Sequence, residues 1–176
     1  MDEYIPIARQ VLRAGAWPED KMAGTVRLDY QGRQRRRRRL VTEDGRAFVL
    51  DLAEPMQLAD GDALVLEHGA LIRVAAERES LLHIHTHDQM TLLRIIWHLG
   101  NRHLPVEIVG GGLRTPADHV IARMVEKLGA HVAVIHAVFT PEAGAYALEG
   151  VAQNHAAHAH HDEGHQEHQQ EFHRHD

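Results

Sequence analysis

The sequence predicts an α+β protein: a small β-rich N-terminal domain, a second domain ordered β-α-β-β-α-β, and a disordered histidine-rich tail. Three observations carry that reading. Short apolar runs between dense turn signals fill residues 1–77. From about residue 78, strand-like alternation is interleaved with two stretches of helical spacing. Residues 151–176 then hold only Val151 and Phe172 as sizeable hydrophobes.

In the first domain (1–77), TVRLDY at 25–30 alternates as a strand, and Gln31 with Gly32 offers a turn. RRRRRLV follows as a second strand, and EDGR at 43–46 carries an Asp-Gly turn signal. FVLDL at 48–52 reads as a strand, and ADGD at 59–62 as a turn into the apolar stretch ALVLEHGALIRVAAE. A small meander or sandwich is the expectation.

The second domain (78–146) opens with LLHIHTH at 81–87 as a strand. DQMTLLRIIWHLG reads as a helix, with Asp88 near its start and Gly100 just past its end. PVEIV at 105–109 is a strand, and a short strand follows GGG around Leu113 and Arg114. Pro116 opens a second helix that stops before Gly129, with Val120, Ile121, Met124, Val125 and Leu128 on one face. HVAVIHAVF at 131–139 closes the series, giving the split βαβ order of a ferredoxin-like domain.

The tail (147–176) cannot bury enough apolar area to offset its ordering entropy. It contains His155, His158, His160, His161, His165, His168, His173 and His175, interleaved with acids and glutamines. Irregular spacing separates it from an expression tag.

Composition excludes several function classes. The chain of 176 residues has no cysteine, so thiolate zinc fingers, iron–sulfur clusters and cysteine nucleophiles are out. No apolar run is long enough for a membrane span, and the N-terminus lacks a signal-peptide pattern, so a cytoplasmic address is expected. A net charge of −6 argues against a general nucleic-acid binder. Gly-rich phosphate loops, G-x-S-x-G and a nucleophile paired with a base are all missing, so no catalysis is expected.

Seventeen histidines make metal binding the leading chemistry. His83 and His85 share a strand face at a spacing that lets two imidazoles meet one ion. The enzyme patterns containing H-x-H fail, however. HIHTHD places its aspartate after the third histidine, TLLRII offers no glutamate, and the chain is too short for an amidohydrolase barrel. A strand polar on one side is the plainer reading. Arg33 and Arg35 to Arg39 form a basic block, read either as a charged edge strand that resists pairing or as a surface for an acidic partner.

WHLGNRHLPVEI, the DHV string at 118–120, FTPEAGAY at 139–146, the histidine-rich tail and the DYQGRQRRRRRLVTEDG stretch together resemble the UreE family of urease accessory metallochaperones. The resemblance covers nearly the whole chain. It implies a β-rich domain related to peptide-binding modules, then a ferredoxin-like domain that joins two copies head to head. It implies Ni2+ as the metal carried, with Zn2+ or Cu2+ also accepted. The histidine of GNRH, here His103, is implied as principal ligand, one copy from each subunit of a homodimer. His119 matches the second histidine of a short H-x-H found in some members, but the first is Ala117 here. The tail histidines are implied to complete the metal shell or to act as a reservoir. The implied partners are the urease apoprotein complex and the accessory GTPase that drives metallocentre assembly.

Rival functions are a metal storage protein working through the tail alone, a small metal-dependent hydrolase or dioxygenase using His83 and His85, and a peptide-binding chaperone.

Overall fold

A computed structural model describes residues 5–143. Residues Met1–Glu142 form one compact unit, and the tail histidines named above lie outside the described residues.

The N-terminal part is a six-stranded mixed sheet made of β1 (Ile7–Leu12), β2 (Met22–Leu28), β3 (Arg37–Val41), β4 (Ala47–Asp51), β5 (Ala63–Leu66) and β6 (Leu71–Ala76), in the order β2-β6-β5-β1-β4-β3. Two local hairpins match the turn signals. In the β3–β4 turn, Gly45 takes φ +87°, Thr42 N–H donates to Arg46 C=O at 2.9 Å, and the Thr42 hydroxyl accepts from Arg46 N–H at 3.0 Å. A side chain at Gly45 would force a left-handed backbone that only glycine adopts without cost.

Of the expected meander or sandwich, the meander is corrected. β1 inserts between β4 and β5, parallel to β4, and β2 runs parallel to β6. Glu43 N–H also donates to Thr25 C=O at 2.8 Å, so the β3–β4 turn meets β2 and the sheet curls around its core. That core is aliphatic, as few aromatics require: Leu50, Leu58, Leu64, Val74 and Ala8 are fully buried beside Phe48. Each such Leu or Val contributes roughly 1.5–3 kcal/mol by leaving water.

The arginine block divides. Arg33 lies not on a strand but in a 3-10 turn, Gly32–Gln34, where a turn was expected at Gln31 and Gly32. It is buried, and its guanidinium donates to Phe139 C=O at 2.5 Å and Leu58 C=O at 3.4 Å. The Tyr30 ring stands edge-on to Phe139 at 5.2 Å. Arg37 to Arg39 lie on β3, the edge of the sheet, where their charge discourages pairing with another chain.

The second part contains β7 (Arg78–His85), α1 (Gln89–Gly100), β8 (Glu107–Val109), β9 (Gly112–Pro116), α2 (His119–Lys127) and β10 (His131–Val138). Strand order is β10-β7-β9-β8 and every pairing is antiparallel, as a split βαβ domain demands. Leu82, Ile84 and Leu113 face the helices, where Ile95 and Leu99 of α1 and Ile121 and Val125 of α2 pack on them. Gly112 passes so close to β7 that a Cβ there would collide with the Ile84 carbonyl oxygen.

The start of α2 is also corrected. Pro116 ends β9, and the helix begins after Asp118. The Asp118 carboxylate accepts from Val120 N–H at 2.7 Å and Ile121 N–H at 3.0 Å, so the cap and not the proline sets the start.

Candidate metal centre at the end of the first domain-two helix

His103 owes its position to the way α1 ends. Asp88 starts that helix, its carboxylate accepting from Thr91 N–H at 2.9 Å and from the Thr91 hydroxyl at 2.6 Å. Gly100 does not lie just past its end. Gly100 is its last residue, and Asn101 keeps right-handed helical backbone with its N–H donating to Trp97 C=O at 3.0 Å. The reversal falls on His103, whose φ is +54°, the one positive value at a non-glycine among the described residues. His103 N–H donates to Gly100 C=O at 2.9 Å and Leu104 N–H to Leu99 C=O at 3.2 Å. These two bonds are those of a Schellman motif, which usually places glycine where His103 stands. A non-glycine residue held left-handed costs about 1–2 kcal/mol. Such strain collects where a side chain must be aimed.

The turn is anchored on its far side. Leu104 packs against the cluster containing Leu99, and the Thr115 hydroxyl donates to Pro105 C=O at 3.0 Å. Glu142 N–H donates to Val106 C=O at 2.8 Å, so the chain beyond the last strand returns to within three positions of His103. His103 itself is exposed, as are Asn101 and Arg102.

Charge and surface around it follow from topology. β9 is antiparallel to β7, so α2 runs antiparallel to α1 and begins at the end of the domain where α1 finishes. The structure therefore brings His119, exposed at the first position of α2, to the same end as His103. His98, Arg102, Val120, Arg123 and Met124 line a shallow groove of about 430 Å3 between the two helices. The Asp118 carboxyl is held below its ordinary value by the Ile121 and Val120 amides it accepts from, with the neighbouring His119 a minor aid. Asp88 is likewise lowered, first by the Thr91 hydroxyl and then by the Thr91 amide.

A stripe of apolar side chains leads along α1 to this end. Met90, Leu93 and Trp97 recur at helical spacing on its outer side, and Trp97 is 63% exposed. Val120 joins them at 59%, although its spacing predicts a place in the core with Ile121 and Val125.

His83 and His85 fall elsewhere. They lie on the face of the sheet turned from the helices, since Leu82 and Ile84 between them take the core side. His131 of β10 stands directly across from His85, a neighbour that local sequence spacing cannot show. Among the described residues no group of three or more His, Asp or Glu side chains is arranged as it stands to hold a metal ion. No helix among them is long and apolar enough to cross a membrane.

Comparison with known proteins gives these features a family. The model for the UreE urease accessory protein, N-terminal domain, matches residues 7–77, and that for the C-terminal domain matches residues 79–176. A urease accessory protein UreE of Bradyrhizobium sp. strain BTAi1 is 50% identical over 151 residues, covering 86% of this chain and 73% of that protein. The protein of the same name from Rhodopseudomonas palustris strain BisB18 is 51% identical over 131 residues, 74% of this chain and 62% of its own. That of Beijerinckia indica is 45% identical over 152 residues, 86% of each. The two domain models and these identities place the chain in the UreE urease accessory protein family.

Proposed function

We propose that the protein is a non-catalytic nickel carrier that binds Ni2+ as cargo and hands it to apo-urease during assembly of the urease metal centre. The observation that supports it best is His103: an exposed imidazole fixed on strained backbone at the end of a helix whose outer side is apolar.

One imidazole cannot retain a divalent ion, and a two-fold axis turns one ligand into two. The stripe of Met90, Leu93 and Trp97 is the kind of surface that a second copy covers. A homodimer formed through the second domain would set two His103 side chains on one ion. Two imidazoles leave coordination positions open, which favours release over retention, and an all-nitrogen and oxygen set suits nickel, while also admitting Zn2+ and Cu2+.

Further ligands are at hand in the same region. His119 begins α2 at that end, although Ala117 removes the partner that would make a pair with it. The bond between Glu142 and Val106 holds the last described stretch of the chain near the His103 turn, and the tail follows it in sequence. His155, His158, His160, His161, His165, His168, His173 and His175 thus enter the account at raised effective concentration, as completing ligands or a reservoir. The recipient is the urease apoprotein complex with its accessory GTPase, since the sequence contains no Gly-rich phosphate loop of its own. The cytoplasm is the compartment in which this exchange takes place.

Urease activation tests the reading. Apo-urease with its other accessory proteins, supplied with limiting nickel and the full chain, is expected to gain activity that His103→Ala fails to give. Equal activation by His103→Ala would remove the site from the mechanism.

A further inference from the structure

We infer that the outer face of the second sheet carries a separate binding site for a divalent first-row transition ion, formed by His83 and His85 of β7 with His131 of β10. The inference does not depend on the role of His103. It rests on three imidazoles that register brings to one face: two at i and i+2 on a strand, and a third directly across the ladder from the second.

Ring positions fit this use. The His85 and His131 rings lie 5.0 Å apart and nearly parallel, and the His83 and His85 rings 6.3 Å apart. A nitrogen bound at about 2.0–2.1 Å puts each ring centre about 3.2 Å from the metal, so rings meeting at roughly 90–110° lie about 4.5–5.2 Å apart. His85 and His131 are already within that range, and His83 must close by about 1 Å. The rings stack rather than converge, so an ion needs side-chain rotation about χ1 and χ2. His87 follows on the same side, its ring 6.0 Å from that of His85.

The surroundings leave room and limit the charge cost. Ala133 faces His83 across the β7–β10 ladder, and Gly112 lies beside His85 on β9, so small residues flank the imidazoles. Arg114 faces His83 from β9, and Glu107 of β8 lies 3.5 Å from its guanidinium, offsetting its charge. Three imidazoles with no carboxylate among them form an open, neutral ligand set, which holds Zn2+ or Ni2+ with at least one position left for water or another ligand. The site is also apart from His103. α1 runs back from the His85 end of β7, and its 12 residues span about 18 Å.

Hydrogen exchange of the full chain with Zn2+ as probe isolates this site from both the tail and His103. β10 is an edge strand, and an ion joining it to β7 must slow exchange of its amides at 131–135. The slowing is expected to approach a hundredfold when free zinc is about 100 times Kd. It should vanish in His85→Ala and His131→Ala and persist in His103→Ala. The milder His131→Gln keeps a polar side chain, and exchange at Leu82 and Ile84 without zinc verifies that each variant keeps the sheet. No slowing in the natural chain, slowing that survives both strand variants, or slowing lost in His103→Ala would each overturn the site.

Discussion

His103 combines two properties that pull against each other, since its imidazole is exposed while its backbone sits where glycine is favoured. Both His103→Gly and His103→Ala remove the imidazole, but only glycine relieves the φ of +54°. His103→Gly is therefore expected to be about 1 kcal/mol more stable than His103→Ala in denaturant unfolding of the metal-free protein. Equal stabilities would mean that the turn holds no strain. The GNRH string marked this histidine in the sequence, but its backbone was not legible there. Gly100 and Asn101 are the ordinary helix terminators, and the chain passes through both in right-handed conformation before turning. Arg33 was misread for a related reason. Neighbouring arginines suggested one exposed block, and only the contact with Phe139, far along the chain, explains why this one is buried.

At the scale of the element, α1 has two faces with separate duties. Ile95 is fully buried against β7 and β9, so Ile95→Ala should cost about 2–5 kcal/mol of folding stability. Trp97, on the outer side, should change monomer stability by no more than about 0.5 kcal/mol when replaced by Ala. Its loss should instead raise the dimer dissociation constant about tenfold or more in analytical ultracentrifugation, as for an interface anchor. Unchanged self-association would remove the stripe from the dimer contact. α2 allows a pH test. Because Asp118 is held below its ordinary value in the folded state, its carboxylate stabilises the fold fully above about pH 4, and that support fades as pH falls through the lower folded value. The Tm deficit of Asp118→Ala at pH 7 should accordingly shrink in melts taken towards pH 2–3. The helices and the element order of the second domain were legible because their periods are local and Asp88 marks the start of α1. The start of α2 was not, because Pro116 is an ordinary helix opener and the Asp118 cap shows only in the structure. The first sheet was legible only as strands. β1, with IARQVL, does not alternate cleanly, and its parallel partner β4 lies some forty residues on, a pairing that turn signals cannot reveal. Likewise Val120 keeps the period of a core residue yet stays exposed, while Ile121 and Val125 are the α2 residues buried on the sheet.

For the whole molecule, the proposals divide metal binding among the paired His103 side chains, the strand histidines and the histidines of the tail. Family membership was legible because GNRH, the string after the last strand and the histidine tail occur together. The pairing of His85 with His131 was not, because it depends on register between strands separated by two helices. Calorimetric nickel titration, with particle mass followed at each addition, tests the central claim most directly. The samples are the full chain, a chain ending at Tyr146, and the shortened chain carrying His103→Ala, each also carrying His131→Ala so that the strand site is silent. The account predicts that shortening lowers the number of ions bound but leaves one tight site per dimer, and that His103→Ala abolishes this site while the protein still folds and dimerises. Tight nickel binding that survives His103→Ala in the shortened chain, or a shortened chain that binds no nickel at all, would contradict it.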